Sequence, residues 1–182
     1  VNEVNLNCVD TSIGTIYYVH CERPLGTSKR DFQKNLIDSL LQSAGFSRKD
    51  LNYKASGQPQ LKGDKSPFIS ISHSGQFGAL YLAKQQVGVD IQTFHTKISR
   101  GKDYFLNDHE RQFTSDDELH IVWAAKEVVF KSCEGNFTDA RKEITVTKID
   151  SSASVAHVNY GEHQNRIGFY YTTAFILAYS LD

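Results

Sequence analysis

Over residues 30–44 the apolar positions Phe32, Leu36, Ile37, Leu40, Leu41 and Ala44 recur at helical spacing, which predicts a helix with one face turned to a core. Thr27 or Ser28 is placed to cap its start, and Gly45 stands where a left-handed residue ends a helix. After a polar stretch with Gly57, Pro59 and Gly63, the run Phe68-Ile69-Ser70-Ile71-Ser72-His73-Ser74 alternates strictly and predicts a strand. Gly75-Gln76-Phe77-Gly78 turns the chain back into a second strand over 79–83, so the pair reads as a hairpin. A third strand over 87–92 turns Val87, Val89 and Ile91 one way and Gly88, Asp90 and Gln92 the other. A second helix is predicted over about 117–133, and beyond Gly135 the pattern becomes four strands over 144–149, 154–159, 166–172 and 174–181. Helix followed by hairpin thus occurs twice, before and after about residue 84. The expected fold is α+β, with two similar helix-plus-antiparallel-sheet halves, 1–84 and 85–182, forming an intramolecular pseudo-dimer.

Composition narrows the partners. A chain of 182 residues with 40% hydrophobic content can bury a real core. Its net charge of −1 argues against a partner in nucleic acid, whose phosphate lattice rewards a large basic excess. The longest uninterrupted apolar run, residues 174–179, is six residues, whereas a membrane span needs ~20, so no membrane is expected. Cys8, Cys21 and Cys133 are odd in number and far apart, which fits neither a disulfide framework nor a thiolate zinc site and points to a reducing, cytoplasmic setting. Charge is unevenly spread: residues 21–66 sum to +4 and residues 101–120 to −4, enough for a basic side that attracts an anionic ligand.

Three constellations carry candidate chemistry. Asp90 sits on a strand whose other face is apolar, with Gly88 beside it removing side-chain bulk; either a ligand approaches there or Asp90 lies on an edge and faces water. On a helix, Trp123, Glu127 and Lys131 stack on one face at i, i+4 and i+8. Either Trp123 carries Glu127 toward the interior, where a cation must accompany it, or Glu127 and Lys131 form an ordinary surface salt bridge. Asp90 and Glu127 together offer two hard oxygen ligands suited to Mg²⁺, to which Gln92 adds a carbonyl or holds a water, while Lys126 and Lys131 offer positive charge to substrate phosphates. Ser72-His73-Ser74, entering a glycine turn, is either a phosphate contact or a structural strand end. A hydrolase using Ser72 or Ser74 with His73 is a weaker reading, because neither serine lies in a GxSxG. The seven histidines include no HxxxH or HExxH pair, and the chain has no GxxxxGK[ST] or GxGxxG loop.

These residues resemble the 4′-phosphopantetheinyl transferase superfamily. Its signature is a strand ending in Gly, a hydrophobic residue and Asp, followed some forty residues later by Trp-x-x-Lys-Glu-x-x-x-Lys. Here the two parts read Val87-Gly88-Val89-Asp90 and Trp123-Ala124-Ala125-Lys126-Glu127-Val128-Val129-Phe130-Lys131. The stretch from Ile69 to Gly75 resembles the Ile-Ser-His-Ser segment of the larger, pseudo-dimeric branch, the surfactin-synthetase-activating type, and Tyr104-Phe105-Leu106 with Glu110 resembles the aromatic-then-Glu stretch between the two signatures.

The resemblance implies transfer of the phosphopantetheine arm from coenzyme A to a serine of an apo acyl or peptidyl carrier protein, leaving adenosine 3′,5′-bisphosphate. It implies that Asp90 and Glu127 bind Mg²⁺ on the pyrophosphate, with Gln92 beside them, and that Glu127 helps deprotonate the serine. Lys131 then neutralises charge on the phosphate, while Arg30, Gln58, Ser72, His73 and Lys126 contribute to holding coenzyme A, the phosphate contacts lying in the N-terminal half. With both halves in one chain, a monomer is expected. Gln92 stands where many members of the larger branch have an acid, and Gly57-Gln58-Pro59 where the family often has Gly-Lys-Pro. Those two departures motivate the alternative, a non-catalytic relative that binds coenzyme A or a carrier protein.

Overall fold

The computed structural model describes residues 5–63, 65–94, 97–135 and 137–182. The chain starts with a hairpin of β1 (Asn5–Asp10) and β2 (Gly14–His20), followed by α1 (Lys29–Ser43). A short hairpin of β3 (Leu51–Tyr53) and β4 (Pro59–Leu61) leads to the hairpin of β5 (Phe68–Ser74) and β6 (Phe77–Ala83). Then come β7 (Val89–Thr93), α2 (Ile98–Gly101), α3 (Asp116–Ser132) and α4 (Ala140–Glu143). The chain closes with β8 (Ile144–Asp150), β9 (Val155–Tyr160), β10 (His163–Tyr171) and β11 (Phe175–Ser180). The strands form three antiparallel sheets, ordered β1-β2-β6-β5, β7-β11-β10-β9-β8 and β3-β4, so the fold is mixed α and β.

The helices form where the sequence supplies both a cap and an apolar face. Ser28 accepts the amide of Asp31 at the start of α1, which buries Phe32, Leu36, Leu40 and Leu41. Ser115 and Glu118 close a capping box at the start of α3. Three acids fill its first turn and Lys131 lies in its last, both arrangements favoured by the helix dipole.

Each sheet has a helix on one face, and the two sheets share a core. Leu36, Leu40 and Leu41 of α1 pack on Val19, Ile69 and Leu80 of the first sheet. Val122, Ala125, Val128 and Val129 of α3 pack on Val146, Val158, Ile167 and Ile176 of the second. Between the sheets lie Ile16, Ala79 and Tyr81 on one side and Val89, Ile91 and Leu177 on the other. β7 is the edge strand of its sheet, as one reading allowed, but the first sheet covers that edge and Asp90 does not face water: it is only 2% exposed.

Two hairpins, β1–β2 and β3–β4, fall outside the sequence expectation, and the third strand begins at Val89 rather than Val87. Gly88 still joins the sheet through a bond from its amide to Ser180 Oγ. A Cβ on Gly88 would lie 2.0 Å from the carbonyl oxygen of Val128, so the space its missing side chain leaves is filled by the backbone of α3. The glycine lets a helix approach, not a ligand. Among the described residues no helix is long and apolar enough to cross a membrane.

Candidate functional site

The two large sheets meet edge to edge through side chains. Ser70, Ser72 and Ser74 alternate along β5, and their hydroxyl oxygens accept the amides of Val89, Ile91 and Thr93 on β7 at 3.1–3.2 Å. The period of two that turns these serines to one face makes them a ladder standing in for a row of backbone carbonyls. Ser72 also donates to Asp90 Oδ1 at 2.7 Å.

Asp90 is the hub. Its Oδ1 also accepts from Lys131 Nζ at 2.7 Å, and its Oδ2 from Gln92 Nε2 at 2.8 Å. Lys131 gives a second proton to the carbonyl of Val89 at 3.0 Å, leaving the third of its three donors uncommitted to either partner. The Glu127–Lys131 surface pair that spacing alone would allow is not formed, because Lys131 reaches across to the strand instead.

Glu127, one turn before Lys131, has no hydrogen-bond or ion-pair partner among the described residues. Burial pushes its carboxyl above the usual glutamate range; the negative charge of Asp90 adds to the rise and Lys131 opposes it. A half-buried carboxyl raised by burial and by a neighbouring carboxylate would gain from a cation, and the oxygens of Asp90, Glu127 and Gln92 are hard ligands of the kind magnesium takes. The residues fit such an ion. Among the described residues there is no third His, Cys, Asp or Glu side chain grouped with them.

His73, next along β5, points to the opposite face from Ser72 and Ser74, and neither hydroxyl bonds to it. The pairing a serine hydrolase requires is therefore not assembled. Partial burial holds the imidazole below its usual range, helped by the positive charges of Lys131 and Lys29, though the ring still reaches solvent. Lys29, the first residue of α1, was not singled out by sequence reasoning; its place at a helix start beside Arg30 was the available signal. Arg30 itself is exposed on α1 and, among the described residues, makes no hydrogen bond or ion pair with the cluster.

Beside the cluster opens a cleft of about 400 Å³, lined from one side by Ser56, Gly57, Gln58 and Pro59 and from the other by Phe130, Lys131 and Glu134. Gln58 donates from Nε2 to the carbonyl oxygen of Lys131 at 3.1 Å, and its Oε1 is buried with no partner. A second cavity of about 190 Å³ lies across Phe130, lined by Tyr104, Trp123, Glu127 and Arg141.

Lys126 is turned away from the cleft. Its ammonium is buried against Glu110 at 2.6 Å and the carbonyls of Phe105 and Arg141, and burial pulls it below the usual lysine range despite Glu110. Glu110 in turn accepts the amides of Asn107 and Val146. Lys126 thus ties the 105–110 segment to α3 and has no proton left for a phosphate. The structure brings together Ser72, Asp90, Gln92, Glu127 and Lys131, sets His73 and Gln58 at their border, and leaves Arg30 and Lys126 apart. No family model matches the chain, and no curated protein matches it.

Proposed function

We propose that the chain is a Mg²⁺-dependent 4′-phosphopantetheinyl transferase, moving the arm of coenzyme A to a serine of an apo acyl or peptidyl carrier protein. The observation that carries the reading is the unpartnered Glu127 carboxyl, raised by burial and by Asp90, one helical turn from a lysine whose ammonium keeps one proton to give. Phosphoryl transfer asks for that combination of hard anionic ligands, a fixed cation and a proton acceptor. Asp90 and Glu127 would hold the magnesium ion, which would supply charge neutralisation on the pyrophosphate.

The protein's own groups do the rest. Asp90 is held in place on a buried strand by Ser72, Gln92 and Lys131, the last of which lines the cleft. Lys131 directs its remaining N–H to a phosphoryl oxygen, where negative charge grows as the pyrophosphate bond breaks. Glu127 takes the serine proton, directly or through a water, as the serine oxygen bonds to phosphorus and adenosine 3′,5′-bisphosphate leaves. Lys29 adds positive charge near His73 for the nucleotide phosphates, and the His73 ring nitrogens offer them a hydrogen bond. The cleft volume lies within the range of small-molecule sites.

A pseudo-dimeric architecture is part of the proposal. In each large sheet the last strand returns to pair with a strand that precedes the helix, β6 with β2 and β11 with β7. The cleft then lies between two halves of one chain, and a cytoplasmic monomer suffices. Titrating coenzyme A into the protein by calorimetry tests the site: binding strengthened by Mg²⁺ in the wild type and indifferent to Mg²⁺ in Glu127→Gln is expected. Binding unaffected by Mg²⁺ in both contradicts the metal role, and binding without any transfer favours the non-catalytic alternative.

A further inference from the structure

The β3–β4 hairpin touches the end of α3 at two places, the main chain of Lys131 and the side chain of Glu134. At its loop, Lys54 pairs with Glu134, just past the helix, and four residues on Gln58 donates to the carbonyl oxygen of Lys131. The loop geometry makes both contacts possible at once: the Lys54 amide donates to the Gln58 carbonyl, and Gly57 takes a φ of 85° to close the turn. Lys131 therefore has its main chain held by the hairpin and its side chain held by β7.

Glu134 is the odd residue here. Its φ of 58° is a left-handed conformation that costs a side-chain-bearing residue about 1 kcal/mol, and glycine or asparagine ordinarily takes it. Glu134 keeps it while its carboxylate meets Lys54. The final carbonyls of a helix lack intrahelical donors, so the end of α3 is where an outside donor most affects position. The Lys131 carbonyl already accepts the Glu134 amide at 3.3 Å, and Gln58 adds a second donor from outside the helix at 3.1 Å, at a residue that lines the cleft.

We infer that Gln58 and Lys54 are positioning residues that strap the end of α3 and fix Lys131 at the cleft, rather than contacts to the bound nucleotide. The inference rests on the reading of Lys131 as the cation that meets the phosphate. Gln58 commits one of its two amide protons to the Lys131 carbonyl, which ties its side chain to α3 at the wall of the cleft. Misplacing a reacting group by about 1 Å can cost 10²-fold in rate, so a loosened strap should appear in turnover and not in cofactor affinity.

The test compares Gln58→Ala, Gln58→Glu, Lys54→Met and the charge-reversed pair Lys54→Glu/Glu134→Lys with the wild type, in the full chain. Transfer kinetics should show kcat falling about tenfold in the first three, with KM for coenzyme A within about twofold, and recovery in the reversed pair. In the free protein, nitrogen NMR of the Lys131 ammonium and amide exchange at residues 132–135 should change in the same three variants and return in the reversed pair. A raised KM with kcat intact would assign Gln58 to the cofactor and overturn the strap. Unchanged Lys131 signals and exchange would overturn it as well. If the wild type transfers nothing, the functional reading fails, and the NMR and exchange results still decide whether the strap exists.

Discussion

Replacing the three ladder serines one at a time tests whether the joint between the sheets is what holds Asp90. Ser70→Ala removes the only acceptor that β5 gives the Val89 amide. Ser70 is 3% exposed, so an unpaired buried N–H should cost about 1–2 kcal/mol. Ser74→Ala removes the equivalent bond to Thr93 where water can substitute, and should cost about 0.5 kcal/mol. Ser72→Ala loses the bond from Ile91 and a charge-assisted bond to Asp90; with the latter worth about 1.5 kcal/mol at the low end, since Lys131 and Gln92 remain, the total is about 3 kcal/mol. Urea unfolding of the three variants should therefore rank Ser72→Ala above Ser70→Ala above Ser74→Ala. Combining Ser72→Ala with Asp90→Asn in a double-mutant cycle should return a coupling of about 1–2 kcal/mol. Equal costs for Ser72 and Ser70, with no coupling to Asp90, would refute the reasoning that this hydroxyl anchors the carboxylate.

Three further outcomes follow from the geometry. Because the folded state binds the Glu127 proton more tightly than the unfolded chain, metal-free protein should lose stability as pH rises from the ordinary glutamate range through the raised value; Glu127→Gln should flatten that loss and be the more stable protein at neutral pH by urea unfolding, while losing Mg²⁺-dependent coenzyme A binding. Gly88→Ala drives a Cβ into the Val128 carbonyl and should destabilise by about 3 kcal/mol or more in the same assay, with α3 displaced from β7. Lys126→Met leaves Glu110, which is fully buried, without its cation and should cost about 3–5 kcal/mol in thermal or urea unfolding; a cost below about 1 kcal/mol would show that the two amide bonds to Glu110 suffice.

Much of this arrangement is legible in the chain because it rests on local periods. The helical spacing of residues 30–44, the alternation of Phe68 to Ser74 and the i, i+4 stack of Glu127 on Lys131 each depend on neighbours a few residues away. What escaped depends on distant partners. Lys131 reads locally as a surface mate for Glu127, and only the burial of β7 between two sheets makes Asp90, 41 residues away, the stronger partner. Lys126 reads as a phosphate ligand until Glu110 appears beneath it, held by the Asn107 capping box. That acid belongs to the −4 region of 101–120, part of whose charge is thus spent inside the protein. Gly88 and the serines carried a correct signal, close approach and a strand face, but what approaches is a helix and what the hydroxyls bind is a second sheet. The β3–β4 hairpin, three residues per strand, is too short for any period to announce it.

The most direct measurement is the intact mass of an apo carrier protein incubated with this chain, coenzyme A and Mg²⁺. The account predicts that the carrier gains one phosphopantetheine arm with wild-type protein, and gains none with Glu127→Gln or Asp90→Asn that remain folded. A carrier that stays unmodified across fatty-acid, polyketide and peptide types, with a preparation that binds coenzyme A, would contradict it.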